Sequence, residues 1–193
     1  VYTNPHPELV RNRMALDVWN LSPAVQARRL SALVALQVVA VAPLRAQECD
    51  THNMHDTTTG RDSAYHSMQA RGAQAMGVDQ FTSTHHFTDL PDGGRIELER
   101  NVDDSAGVAM IRHHLRMIAQ AFGSGDFSTP MFVHMRNVPG TATMAAKRNA
   151  ITYTVTDLPR GGAVRITTRD PGAIAAVHQF LAFQRCDHRA QSR

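Results

Sequence analysis

Of the eleven histidines in the chain, His85, His114, His134, His178 and His188 fall in patterned segments, with methionines such as Met144 nearby. Neutral imidazole and thioether are the donors proteins use for late first-row metals, and imidazole also moves protons near neutral pH. These histidines lie far apart in sequence, so a shared site requires a fold that brings separate elements together. His85, His114 and His134 are the leading candidate ligands, with His178, His188 and Met144 in reserve. Thioethers beside imidazoles favour copper over zinc or iron, most strongly as Cu(I). Non-covalent haem held by His, with Met as a second ligand, is also compatible. An open coordination position would permit redox or hydrolytic chemistry; a closed one would suit storage, delivery or sensing.

Two other classes fit the same residues. In a metal-free ligand-binding or interaction module, the histidines line a cleft without sharing a centre. In an acid/base enzyme, His134 or His188 works with Asp126 or Asp187, which requires a carboxylate within hydrogen-bond reach of an imidazole beside an empty cleft. A second cluster, Cys49-Asp50-Thr51-His52-Asn53-Met54-His55-Asp56, has a His-x-x-His spacing that captures copper or zinc even without a rigid fold. The chain lacks a His-Glu-x-x-His helix, Cys-x-x-Cys, Cys-x-x-Cys-His, a phosphate-binding glycine loop and Gly-x-Ser-x-Gly.

Arg28-Arg29, the apolar run Leu30–Leu44 and a small residue at Ala46 match a secretory signal peptide over 28–46, placing the mature protein in the periplasm or outside the cell. Residues 1–27 then read as an upstream extension, with Met14 as a natural initiator. The apolar run is short for a membrane span of about 20 residues, so no stable anchor is expected after cleavage. Five of the 20 basic and two of the 17 acidic residues precede the cut, leaving 15 of each. The alkaline pI of about 9.3 therefore belongs largely to the leader, and a nucleic-acid footprint is not indicated. Cys49 and Cys186 can pair in an oxidising compartment or stay free.

The elements that must position the histidines follow from a repeat. Thr88-Asp89-Leu90-Pro91-Asp92-Gly93-Gly94 recurs 68 positions later as Thr156-Asp157-Leu158-Pro159-Arg160-Gly161-Gly162, and period-two apolar segments flank each copy. These read as β-hairpins, each running into a helix. The first helix starts at Asp103-Asp104-Ser105, buries Ile111, Leu115, Ile118 and Phe122, and stops at Gly123-Ser124-Gly125. The second follows Asp170-Pro171 and buries Ile174, Val177 and Leu181. The expected fold is α+β over 61–188: two ββα repeats forming an antiparallel sheet with helices on one face. An extra helix is expected at 61–76, a polar flexible segment at 47–60 and a tail at 189–193.

Within this frame Phe81, Ser83, His85 and Phe87 share one strand face, leaving His86 on the other. Met110, His114 and Met117 flank the first helix's core stripe, with His113 on the wetter side. A short strand at 131–135 would set His134 beside Phe132, and Asp187 is placed to orient an imidazole such as its neighbour His188.

From about Arg71 to His188 the chain resembles a family of exported, His-rich bacterial proteins of uncharacterised activity. The resemblance rests on Arg71-Gly72, Met76-Gly77, His85-His86-Phe87, Gly93-Gly94, Ile111-Arg112, His114-Leu115, Gly125-Asp126-Phe127, Pro130, His134, Pro139-Gly140, Met144, Ile151, Tyr153, Ala176-Val177-His178, Phe180-Leu181, Phe183-Gln184 and Asp187-His188. It implies that these histidines form a set and implies no reaction. The chain departs from the family at Arg189-Ala190-Gln191, where a Thr-Gly-Asp pattern is expected.

Overall fold

The computed structural model describes residues 58–190, with side chains described from residue 63 onward. The expected leader at 28–46, the stretch before it and the His52-x-x-His55 segment lie outside the described residues. So do residues 191–193. The first helix, α1, spans Thr58–Met76, beginning three residues before the expected 61. A 3₁₀ turn at Gln80–Thr82 leads into strand β1, Ser83–Leu90, and β2, Gly93–Arg100. Then come α2, Ser105–Ser124, α3, Ser128–His134, and α4, Thr141–Ala146. Strands β3, Ile151–Leu158, and β4, Gly161–Thr168, precede the last helix, α5, Pro171–Asp187. Among the described residues no helix is long and apolar enough to cross a membrane.

The four strands form one antiparallel sheet in the order β1-β2-β4-β3, with helices packed against it. Leu90 pairs with Gly93 across the turn Pro91-Asp92, and Leu158 pairs with Gly161 across Pro159-Arg160. The hairpins join through β2 and β4, where Ile96 lies opposite Val164. Phe87, Ile96, Leu98, Val164 and Ile166 build the sheet's contribution to the core. Burying apolar side chains of this size contributes roughly 1.5–3 kcal/mol each.

The glycine pairs have a steric cause. A Cβ on Gly161 would lie 1.9 Å from Leu98 O, and one on Gly93, whose φ is +136°, would lie 2.3 Å from Ile166 O. Both glycines let β2 and β4 backbones meet. At the second glycine of each pair the obstacle is a helix: a Cβ on Gly94 would meet Leu181 Cδ1 at 2.2 Å, and one on Gly162 would meet Leu115 Cδ1 at 3.0 Å.

Each long helix thus packs over the hairpin that it does not follow in sequence. From α2, Arg112 donates to Gly161 O (2.9 Å) and Leu158 O (2.5 Å), while Arg116 reaches Asp157 at 2.8 Å. From α5, His178 Nε2 donates to Leu90 O (2.9 Å), and Arg185 bonds Phe87 O (3.0 Å) and Asp89 (2.7 Å). The opposite helix thus bonds backbone carbonyls at and beside each hairpin turn.

Helix boundaries follow their caps. Asp104 accepts from Gly107 N at 3.0 Å and Gly125, at φ +86°, ends α2; Asp170 accepts from Ala173 N at 2.9 Å to start α5. Ile111, Leu115, Ile118 and Phe122 are all buried as spaced. On α5, Val177 and Leu181 are buried but Ile174 is only half-buried, its place taken by Ala173, Ala176 and Phe180.

Two local expectations fail. Phe81 lies in the 3₁₀ turn rather than on the strand and is exposed, with ring contacts to Tyr65 and His66. Residues 131–135 form no strand, because Ser128–His134 is helix α3. Asp126 Oδ1 accepts from Ser128 N at 2.8 Å to turn the chain, and Pro130 sits in the first helical turn, where its missing N–H costs nothing. Val133 and His134 face inward while Met131 and Phe132 are exposed, so His134 does not share a face with Phe132.

Candidate functional site

His85 from β1, His114 from α2, His134 from the end of α3 and His188 at the C-cap of α5 line one pocket. Its volume is about 90 Å³. Phe87, Leu98, Leu115, Ile118 and Phe122 supply apolar walls, and Gln80 and Gln184 add amides. The first three histidines are the leading candidates from sequence and the fourth was a reserve. His178 and Met144 do not line the pocket: His178 is engaged with Leu90 O, and Met144 is fully buried in the core.

Three of the rings meet directly. His85 stacks on His188 with centroids 5.0 Å apart and planes 21° from parallel, and His134 meets His188 edge-on at 5.1 Å. Phe87 flanks both His85 and His188, at 5.9 and 5.7 Å. His85 is on the Phe87 face, as strand alternation requires.

Burial is the main force on the titration of this cluster. Desolvation, helped by His114 and His86, lowers the His85 pKa to about 4. Desolvation also lowers His114 to about 4, against a backbone hydrogen bond at Ala75 that favours its charged form. His188 is pushed well below the ordinary imidazole range by burial and then by His85 and His134, with Asp187 opposing. These three rings are therefore neutral at pH 7, the state in which imidazole donates a lone pair to a metal.

His134 is held from both sides. Its Nδ1 donates to Asp187 Oδ2 at 2.5 Å, and its Nε2 lies 3.1 Å from Gln184 Oε1, an acceptor. For that second nitrogen to accept, the amide must turn end for end and present its NH₂ in place of Oε1, which would also give the buried Gln184 Nε2 its missing partner. Burial pushes Asp187 up, but the hydrogen bond with His134 and the neighbouring Arg136, at 2.9 Å, hold it below the usual carboxylate range. Asp187 thus orients His134, 53 residues away, and not simply its neighbour His188. His188 Nδ1 is buried with no hydrogen-bond partner. Such an orphaned nitrogen asks for a ligand. Cys186, just before Asp187, is disulfide-bonded.

Sequence reasoning missed Gln80 and Gln184, which are 3 % and 5 % exposed. No pattern marks a glutamine as buried; only its place on an apolar helix face could have suggested it. Among the described residues no group of three or more His, Cys, Asp and Glu side chains is already arranged to hold a metal ion. The stacked rings of His85 and His188 turn faces, not lone pairs, toward each other.

Comparison of the chain with known protein families, with curated proteins and with solved structures found no match in any of the three. The fold and pocket define an α+β domain with a histidine-lined cavity.

Proposed function

We propose that this domain binds a late first-row transition metal, copper ahead of zinc or iron, on His85, His134 and His188, with His114 lining the same pocket. The observation that carries the reading is the ring spacing of 5.0 and 5.1 Å. A metal about 2 Å from two imidazole nitrogens at a tetrahedral angle sets the ring centres roughly 5 Å apart. Turning a ring about its Cβ–Cγ bond redirects the nitrogens while scarcely moving its centre, and that torsion is soft. Loading therefore needs the rings of His85 and His188 to turn and the Gln184 side chain to leave His134 Nε2, without movement of β1, α3 or α5. Neutral imidazoles, the orphaned His188 Nδ1 and a carboxylate behind His134 all support it. A cavity of this size suits an ion with a few small ligands and is too small for a haem macrocycle as it stands.

The Asp187–His134 contact also supports the acid/base enzyme, which requires a carboxylate-held imidazole beside a cleft. In either reading Gln184 must leave the second ring nitrogen, because that nitrogen would have to meet the substrate or the metal.

The domain is best read as two ββα units with their helices exchanged over each other's hairpins. The turns are offset by 68 positions and the helix residues that meet them, Arg112 with His178 and Leu115 with Leu181, by 66. The difference is the shorter link before α5. Residues 28–46 support an exported, periplasmic or secreted, setting.

The test is titration of the full chain with Cu(II) and Zn(II), with electron paramagnetic resonance of the copper form. Near-stoichiometric binding with nitrogen hyperfine coupling, lost in His85→Ala/His188→Ala while circular dichroism is unchanged, is expected. Folded wild-type protein that takes up neither metal would overturn the reading.

A further inference from the structure

The exposed side of α2 carries an uncommon group of residues. Met110 and Met117 are 47 % and 52 % exposed, and His113 and His114 lie between them. All four line an open groove of about 870 Å³. Met76, the last residue of α1, also lines this groove, from a buried position where its Sδ accepts from Gln80 Nε2 at 3.8 Å. Met76 and His114 also line the inner histidine pocket, so the two cavities share a wall.

The arrangement is built by the end of α1. Gly77, at φ +77°, closes the helix, and its missing side chain makes room for Met110: a Cβ there would lie 2.8 Å from Met110 Cε and 3.8 Å from Sδ. The Met110 sulfur is thereby set against the turn that follows Met76. Along α2, Met110 precedes His114 by one turn and Met117 follows it by nearly one, so both thioethers fall on the side of the helix that His114 occupies. Asp126 stands at the rim and contributes a negative charge.

We propose that this groove is a second metal site, selective for a soft monovalent cation of the Cu(I) type, held by the thioethers of Met110 and Met117 with the imidazole of His114, and joined by Met76 in exchange for its contact with Gln80 Nε2. Thioethers bind Cu(I) well and Zn(II) or Cu(II) poorly, whereas the imidazole cluster inside takes the harder ions. This site stands whether or not the inner pocket binds metal.

Ag(I), a redox-silent stand-in for Cu(I), is the probe. It is titrated into the full chain labelled at methionine methyl carbons and followed by nuclear magnetic resonance. The expected result is a saturable shift of the Met76, Met110 and Met117 methyls that Zn(II) does not produce. It should persist in His85→Ala/His188→Ala and be lost in Met110→Leu/Met117→Leu, which conserves side-chain volume at two exposed positions. Unmoved Met110 and Met117 methyls would overturn the proposal. So would equal shifts at the exposed Met131 and Met135, which lie outside the groove and report indiscriminate thioether binding.

Discussion

Asp187, the last residue of α5, fixes the ring of His134, the last residue of α3, through a 2.5 Å hydrogen bond to Nδ1. The contact joins two helix ends and leaves Nε2, which faces Gln184 Oε1, as the other ring nitrogen of His134. Arg136 holds the other carboxylate oxygen, so the acceptor cannot swing away without losing a second bond.

Replacing Asp187 tests whether this contact serves a metal. Asp187→Asn is expected to weaken copper or zinc binding about 10–100-fold while leaving the fold intact. The nitrogen resonances of the His134 ring should change tautomer pattern in the same variant. Unchanged affinity would make Asp187 a purely structural brace.

Burial of neutral His85 and His114 predicts acid sensitivity of the metal-free protein. In the unfolded chain these rings take up protons near pH 6.5, but in the folded state only near pH 4. Their contribution is complete above pH 6.5 and falls as pH drops from 6.5 toward 4, at about 1.4 kcal/mol per pH unit for each ring at most. The depressed carboxylates Asp92, Asp126, Asp170 and Asp187 act in a lower window, below their usual value of 3.8. Urea midpoints between pH 7.5 and 4 should show the loss, and His85→Leu should reduce its slope.

Gly94 and Gly162 predict unequal costs for the same change. Gly94→Ala drives a methyl to within 2.2 Å of Leu181, and Gly162→Ala only to 3.0 Å of Leu115. Overpacking costs about 1–3 kcal/mol, so Gly94→Ala is expected at the upper end and Gly162→Ala below it. Leu181→Ala should recover part of the first cost in a double-mutant cycle and none of the second.

Met144 separates core from ligand. It is fully buried at 0 % exposure in α4 and absent from the pocket lining. Met144→Ala is expected to cost about 2–5 kcal/mol of stability while the remaining folded protein binds copper or zinc with unchanged affinity. Calorimetric melting together with metal titration checks both halves.

Much of the architecture was legible because it rests on local rules. Alternation placed His85 with Phe87, the acidic caps and glycine stop bounded α2, and Pro171 after Asp170 began α5. The stretch Met131–Met135 was misread because a short apolar run suits a strand or a buried helix turn equally. Pro130 and the Asp126 turn, residues outside that run, decided for helix. The buried stripe of α5 extends to Ala176 and Phe180 because the helix packs on the start of α4 as well as on the hairpin: Gly140 lies against Ala176 and Phe180, and Gly94 against Val177 and Leu181.

The sequence by itself determined the two hairpins with their turns, the helices α1, α2 and α5 and the histidines worth following, since each depends on neighbours within a few positions. Only the tertiary structure decided which histidines meet. Exchange of the helices over opposite hairpins brings the end of α5 beside β1, so His188 stacks on His85 and Asp187 reaches His134, while His178 is drawn to a turn carbonyl. Such partners are fixed by how helices pack on a sheet, which side-chain periodicity does not encode.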